Sequence, residues 1–470
     1  MNTILLGFIA VSAITALAAQ DWRKAIKVAL VLVVIEGALR KWVLPQASQF
    51  IYFLKDFVVL GAYIRYFLLS PVQGKLLTQK KLILALIGLM FVWSIFQAFN
   101  PSLGSPIIGL FGIKNYFFYI PLIWLVPQLF QSEDEFYRFL RAYLLLIIPV
   151  GILAIAQFFS PPTSPLNVYA WGDEGPDVAL AGLGTVRVTG TFSYLAGYST
   201  YLLSCLCLLL PMLTRPQFKQ WRILTIVELV LVVITAFMTG SRGLVIGAVL
   251  LIGGYITIQL AVDFSNFYRS IRKLILPGLV GFFAITQGAQ LALESFWTRV
   301  NQANDSIPDR ISNTFTQPFT NFQLKGLDGY GLGATFQANK IIRSTLQLPL
   351  GESIPVDYES EMGRIALEIG PLGFALWYGL RIILWVSLIQ VYCKLTHPFL
   401  KQLALSVAIY QAVTFINQMV HNHTANFYHW FLYSFIFLLP QLEQAVQWQQ
   451  TYSYVSTHRT PPNFSDSSHQ

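Results

Sequence analysis

A single arginine, Arg242, sits in the short turn Thr239–Gly243 between two apolar runs, Ile223–Met238 and Leu244–Leu260. A guanidinium cannot shed its charge, so a place at membrane depth is costly and points to a task. Arg187 and Arg310 lie in other polar stretches, and two carboxylates, Glu359 and Glu361, stand one residue apart. These types supply permanent positive charge and groups able to take a proton. His421 and His423 alternate in the stretch HNHTAN. With no HExxH and no further ligand cluster beside them, they are read first as a solvated turn and next as polar contacts to glycan or phosphate, and no metal is expected.

The elements that position these residues are apolar helices. The chain of 470 residues is 55% hydrophobic and 11% charged, against about 25% charged in soluble domains. It is read as a polytopic membrane protein. Segments of about 20 apolar residues fall at 3–19, 25–44, 50–70, 82–99, 112–130, 142–159, 193–213, 223–239, 243–262, 274–291, 365–393, 402–420 and 426–445. Basic residues gather in alternate turns: Arg23/Lys24/Lys27, Lys75/Lys80/Lys81, Arg138/Arg141, Arg215/Lys219/Arg222, Arg269/Arg272/Lys273 and Lys394/Lys401. That side is expected to be the cytoplasm. The net charge of +9 follows from this pattern and implies no nucleic-acid partner. The first segment is read as an uncleaved helix, because basic residues follow it directly.

Several charges near or within spans need partners. Arg40 is expected to pair with Glu36, four residues before it, and Lys55, Asp56 and Glu228 are expected to pair internally. Cys205, Cys207 and Cys393 all lie in apolar runs and read as packing residues. The cytoplasmic turns are too short for a nucleotide-binding domain. They hold no GxxxxGK[ST] and no DxD-like pair, which argues against chemistry driven directly by ATP or a nucleotide sugar. The long polar segments face outward, where active loops are expected.

Four outer stretches stand out: RVTGTF (Arg187–Phe192), the TGSRG turn, GYGLG (Gly329–Gly333), and Glu359–Ser360 followed by EIGPLG (Glu368–Gly373). In order and spacing they resemble the O-antigen ligase and polymerase superfamily of bacterial membrane glycosyltransferases, from about Arg187 to the last helix. The earlier spans match in hydropathy alone. The resemblance implies an undecaprenyl-diphosphate-linked glycan donor and a sugar-hydroxyl acceptor at the periplasmic face of the plasma membrane. It further implies membrane lipid, flippase and chain-length partners, and no cofactor. Arg242, Arg310 and Arg187 would hold the diphosphate as charge builds on it. Glu359 or Glu361 would be the general base, and His421 and His423 would contact acceptor or glycan. The ligase branch carries a histidine eleven residues before the glycine of its E-x-G element, and here that position is Glu359. The difference favours polymerisation over lipid-core ligation.

Each residue also has a plainer reading. Arg242 would mark the interface by snorkelling. Arg187 would pair with Asp173, Glu174 or Asp177, and Arg310 with Asp309. Glu361, Arg364 and Glu368 have the spacing of a helical ion ladder. The segment GATFQANKIIRSTLQ reads as an amphipathic surface helix, with Phe336, Ile341 and Ile342 toward the bilayer and Lys340 and Arg343 outward.

The expected fold is an all-α integral membrane protein of roughly 12–13 transmembrane helices, GT-C-like, with one long outer-face loop. Its regions are N-terminal helices (1–180), central helices with the TGSRG turn (181–291), the periplasmic loop (292–364), C-terminal helices (365–446) and a disordered cytoplasmic tail (447–470). The alternative is a secondary transporter for a small solute. Its case rests on the many spans and on Glu36, Arg40, Asp56 and Glu228, against the lack of an internal repeat.

Overall fold

The computed structural model describes residues 2–70, 81–170, 178–262, 290–301 and 307–458, with isolated positions between 263 and 289. The described residues form helices and no strand. In chain order these are α1 (Asn2–Ala18), α2 (Trp22–Ala38), α3 (Ser48–Tyr52), α4 (Leu54–Tyr63), α5 (Lys81–Ala98), α6 (Pro106–Phe117), α7 (Leu122–Leu125), α8 (Glu133–Leu144), α9 (Ile147–Phe159), α10 (Leu195–Met212), α11 (Lys219–Met238) and α12 (Arg242–Val262). There follow α13 (Gln290–Asn301), α14 (Ile307–Lys325), α15 (Asn339–Leu346), α16 (Glu361–Lys394), α17 (Pro398–Val413), α18 (His423–Tyr433) and α19 (Phe435–His458).

Seven helical segments among them are long and apolar enough to cross a bilayer: 81–98, 106–129, 133–159, 195–212, 219–238, 242–262 and 361–394. The chain is therefore an all-α, multi-pass membrane protein. Local sequence sets several starts. The Asp21 carboxylate accepts from the N–H groups of Arg23 and Lys24 at 3.1 Å, and Ser132 accepts from Glu135 N–H at 3.2 Å. Both satisfy orphan donors of a first turn. Helix α10 is buried along almost its whole length and forms the centre with α17 and α18. Helices α5 and α12 present bare Leu, Phe and Val faces, as lipid-facing helices do.

The polar residues segregate to the two ends of this bundle. At one end Arg23 donates to Gln128 O at 3.3 Å, Lys27 lies 3.6 Å from Glu135, Arg215 pairs with Glu133 at 2.7 Å and stands over Phe399, and Glu443 accepts from the N–H groups of Thr396 and His397 at 2.7 Å. These are the turns in which the sequence concentrates lysine and arginine. At the other end lie the TGTF and TGSRG segments, GYGLG, the start of α16 and the HNHTAN turn.

Several expectations need correction. Glu36 pairs with Lys55 at 2.6 Å, and Arg40 instead donates to Ser48 O, Ser193 Oγ and Ala170 O at 3.1, 2.8 and 3.3 Å. Lys55 reaches Glu36 from across the helix pair and takes the carboxylate. Asp56 pairs with Lys114 at 2.7 Å and Glu228 with Arg141 at 2.6 Å, the internal pairing expected of them. Arg141 is thus a buried partner and no loop charge. The segment 292–364 holds α13, α14 and α15 in place of a plain loop. Within it, α15 forms as expected, but Phe336 packs on the His423 ring and Arg343 turns in to Leu103 O at 2.8 Å.

Nor is the tail irregular from 447. α19 runs on to His458, since nothing in QWQQTYSYVSTH breaks a helix before Pro461. Residues 459–470, the expected span 274–291 in most of its length, Lys75, Lys80, Arg269, Lys273 and the acids Asp173, Glu174 and Asp177 lie outside the described residues.

Candidate functional site

The arginines that the sequence scatters meet at one place. Gly240 takes φ +60, a conformation cheap only for glycine, and this lets α11 turn sharply into α12. Ser241 then accepts from Leu244 N–H at 3.3 Å, the cap that starts α12 with Arg242 as its first residue. Arg187 Nε donates to Thr239 O at 3.0 Å, on the same turn, and Arg299 donates to Leu180 O at 3.4 Å. A Cβ built on Gly240 would lie 3.6 Å from Arg187 Nε and 3.7 Å from Arg299 Cδ. Burial, with the charges of Arg299 and Arg242 adding, pulls Arg187 down to about 10. Burial likewise lowers Arg299, with Arg242 and Arg310 adding.

Arg187 and Arg299 therefore each lie in the field of neighbouring guanidinium groups, Arg242 being common to both. Among the described residues Arg187, Arg242 and Arg299 form no ion pair. The helix dipole of α12 adds positive potential at Arg242. Such a concentration of positive charge is unfavourable by itself and becomes favourable when an anion enters. Arg299 was not singled out from sequence. Its signal in the sequence is its place in the same 292–364 segment as Arg310, a permanent positive charge outside the basic turns.

Two backbone devices hold the surrounding loops. The TGTF segment is buried, so its polar groups need partners. Gln157 Oε1 accepts from Gly190 N–H at 2.8 Å, Lys41 Nζ donates to Thr189 Oγ1 at 2.7 Å and to Gly190 O at 3.1 Å, and Thr191 donates to Val34 O. The second device is a break in α16. Gly370 has φ +64, and Pro371 follows. Proline has no N–H for the carbonyl four residues back, which is that of Leu367. That carbonyl accepts instead from Tyr330 N–H at 2.7 Å, and Ile369 O accepts from Trp93 at 3.0 Å. Glu368 completes the dock: it accepts from Thr335 N–H at 3.0 Å, Thr335 Oγ1 at 2.7 Å and Tyr116 Oη at 2.8 Å. EIGPLG is thus the socket for GYGLG. Glu368 serves that loop and not an ion ladder with Arg364, whose Nε donates to Tyr358 O at 3.0 Å.

The carboxylates divide. Glu359 is exposed, and among the described residues its carboxylate has no partner. Glu361 is buried and accepts from the N–H groups of Met419 and Val420. Gln317 on α14 accepts from Ser360 Oγ, between the two. Arg310 lies seven residues earlier on α14, about 10 Å along the axis. One helix therefore links the arginine cluster with the Glu359 segment. The histidines are not in a solvated turn. His423 is buried against Lys114 at 3.2 Å and Asn115 at 3.0 Å. His421 is buried 3.9 Å from Glu368, and both its ring nitrogens lack partners among the described residues.

No known protein family and no curated protein matches the sequence.

Proposed function

We propose that the chain is a glycosyltransferase of the O-antigen polymerase and ligase type, acting at the outer face of the bacterial plasma membrane. The single observation behind this reading is the convergence of Arg187, Arg242, Arg299 and Arg310 beside a helix N-terminus at the loop-rich end of the bundle. A lipid diphosphate is an anion anchored at that depth. As it leaves, it takes the electron pair of the anomeric C–O bond, and the guanidinium groups stabilise the added charge. The acceptor hydroxyl attacks the anomeric carbon from the opposite face, with inversion, and gives its proton to Glu359. That carboxylate is assigned the base role because it is exposed, while Glu361 is held by main-chain donors. The GT-C-like architecture and the preference for polymerisation belong to the same proposal. The transporter alternative drew on intramembrane charges, and Glu36, Asp56 and Glu228 each neutralise a neighbouring cation.

The test uses Arg242→Ala and Glu359→Gln, each inserted at normal levels in cells. Long-chain surface glycan is expected to vanish while single-unit lipid-diphosphate intermediates accumulate. Glycan confined to lipid-core attachment would move the assignment to a ligase. Unchanged glycan in both variants would remove the proposed site.

A further inference from the structure

Helix α14 lies across the loop-rich end of the bundle. Near its start the charge of Arg310 reaches Arg299, which stands against the α11–α12 turn at Gly240. At its close Lys325 Nζ donates to Ser102 Oγ at 3.1 Å, in the turn between α5 and α6. Its 19 residues, with about 1.5 Å of rise each, thus bridge two turns of that one end. In a multi-pass fold such a helix runs along the plane of the bilayer and does not cross it.

The helical period sorts its side chains onto three faces. One is docked: Pro318 and Asn321 are buried, Gln317 Nε2 donates to Asp357 O at 3.0 Å, and Asn321 Nδ2 donates to Gly363 O at 3.0 Å. A second is polar and exposed, with Asn313, Thr316, Thr320 and Gln323. The third adjoins the docked face and is apolar. Ile311, Phe315 and Phe319 follow one another at a spacing of four and are 46, 46 and 67% exposed. Water is a poor solvent for such a stripe.

The stripe is continuous with surface that faces acyl chains. The Phe319 and Phe322 ring centroids lie 5.9 Å apart, and Phe322 meets Phe374 of the membrane-spanning α16 at 5.4 Å. Leu372, Ile382 and Val386 share an exposed apolar face of that helix. A protein partner fits less well. Three side chains offer on the order of 300 Å² of exposed apolar surface, against about 800 Å² per partner at a stable interface. A helix lying flat, with one apolar flank, amides and hydroxyls on the other and an arginine at its end, has the build of an interfacial helix. We propose that α14 is seated in the lipid leaflet at this end of the bundle, with Ile311, Phe315 and Phe319 among the acyl chains and Asn313, Thr316 and Thr320 in water. The arginine cluster then opens at headgroup depth, where an anion carried on a lipid arrives sideways through the leaflet. The seating rests on the geometry of α14 and on the multi-pass fold, without the glycan-transfer reading.

The experiment is electron paramagnetic resonance on the full-length protein in phospholipid nanodiscs. Cys393→Ser removes the exposed native thiol while Cys205 and Cys207 stay buried. A nitroxide is then attached in turn to Phe315→Cys, Phe319→Cys and Thr320→Cys. Molecular oxygen concentrates among acyl chains, and a water-soluble nickel chelate stays outside them. At positions 315 and 319 the nitroxide is expected to collide with oxygen more than with the chelate, and at 320 that order is expected to reverse. Chelate dominant at all three positions would put the stripe in water and overturn the proposal. Exclusion of both reagents from 315 and 319 would show protein on the stripe, a second copy of this chain included, and would overturn it as well. Oxygen dominant at 320 too would remove the two-sided seating. If either stripe variant fails to fold, Ile311→Cys reads the same flank. No glycan substrate is used, so unchanged polymer in Arg242→Ala would sink the transfer reading and leave the oxygen result standing.

Discussion

Arg299 shows what a single residue adds to the cluster. It lies against the turn that carries Arg242 and shares its field with Arg310, so its removal should weaken hold on an anionic leaving group. Arg299→Ala is expected to lower polymer formation by about 100-fold, the usual effect of deleting one transition-state donor, at unchanged protein level. Turnover of a lipid-linked donor in membranes would measure it. Arg242 stood out in the sequence as a permanent charge between two apolar runs, and Arg187 and Arg310 entered through the family resemblance. The sequence did not supply their proximity, which arises as α13 packs on α11, with the Phe296 and Phe237 ring centroids 5.4 Å apart. A second residue-scale test concerns His421, which burial lowers from 6.5 to about 4 despite the nearby Glu368 carboxylate. Between these values the unfolded chain binds a proton that the folded one refuses. Stability from this group is therefore complete above pH 6.5 and falls as the pH drops toward 4. His421→Gln is expected to remove about 3 kcal/mol of that acid sensitivity, at about 1.4 kcal/mol per pKa unit. Denaturant melts in detergent across this range would reveal an unaltered slope if the burial argument is wrong.

Against the roughly 12–13 expected spans, seven helical segments among the described residues are long and apolar enough to cross a bilayer. Their C-terminal ends fall close to the expected positions, but 106–129 and 133–159 begin well before 112 and 142, and the expected span 426–445 is divided between α18 and α19. Elements built by tertiary contact were not legible in the sequence. Helices α13 and α14 are too polar to read as spans, and α14 owes its place to bonds such as Asn321 to Gly363 O at 3.0 Å. Gln157, the residue that holds the TGTF backbone, sits inside an ordinary apolar run and gives no local signal. The break at Gly370 was visible only as a motif, with its mechanical role hidden until Tyr330 was seen to occupy the freed carbonyl. A Cβ at Gly370 would lie 2.1 Å from Leu327 O, at φ +64. Gly370→Ala is therefore expected to destabilise the dock by at least about 1–3 kcal/mol, the cost of such a backbone conformation alone. Faster hydrogen exchange at the Tyr330 amide, with the spans still protected, would be its signature.

The whole molecule separates its polar chemistry into two ends, and in the proposed orientation the end rich in lysine and arginine faces the cytoplasm. A native probe already exists there. Cys393 is exposed, while Cys205 and Cys207 are buried, and it sits next to the Thr396–Glu443 contact. At the opposite end Leu350 is 86% exposed. In intact cells a membrane-impermeant maleimide is expected to label Leu350→Cys in a Cys393→Ser background and to spare Cys393 in wild type. The reverse pattern would invert the proposed orientation and with it the side on which the donor must be presented.

The attachment of GYGLG to a carbonyl released by Pro371 sets repair against use. Replacing that proline with alanine would offer Leu367 an intrahelical N–H, and the healed helix would compete with Tyr330 for the same oxygen. A directed-evolution campaign that rewards heat resistance alone would then be drawn to position 371 and would collect robust proteins with a loosened loop. Selection for thermostability and selection for turnover should part company at that codon.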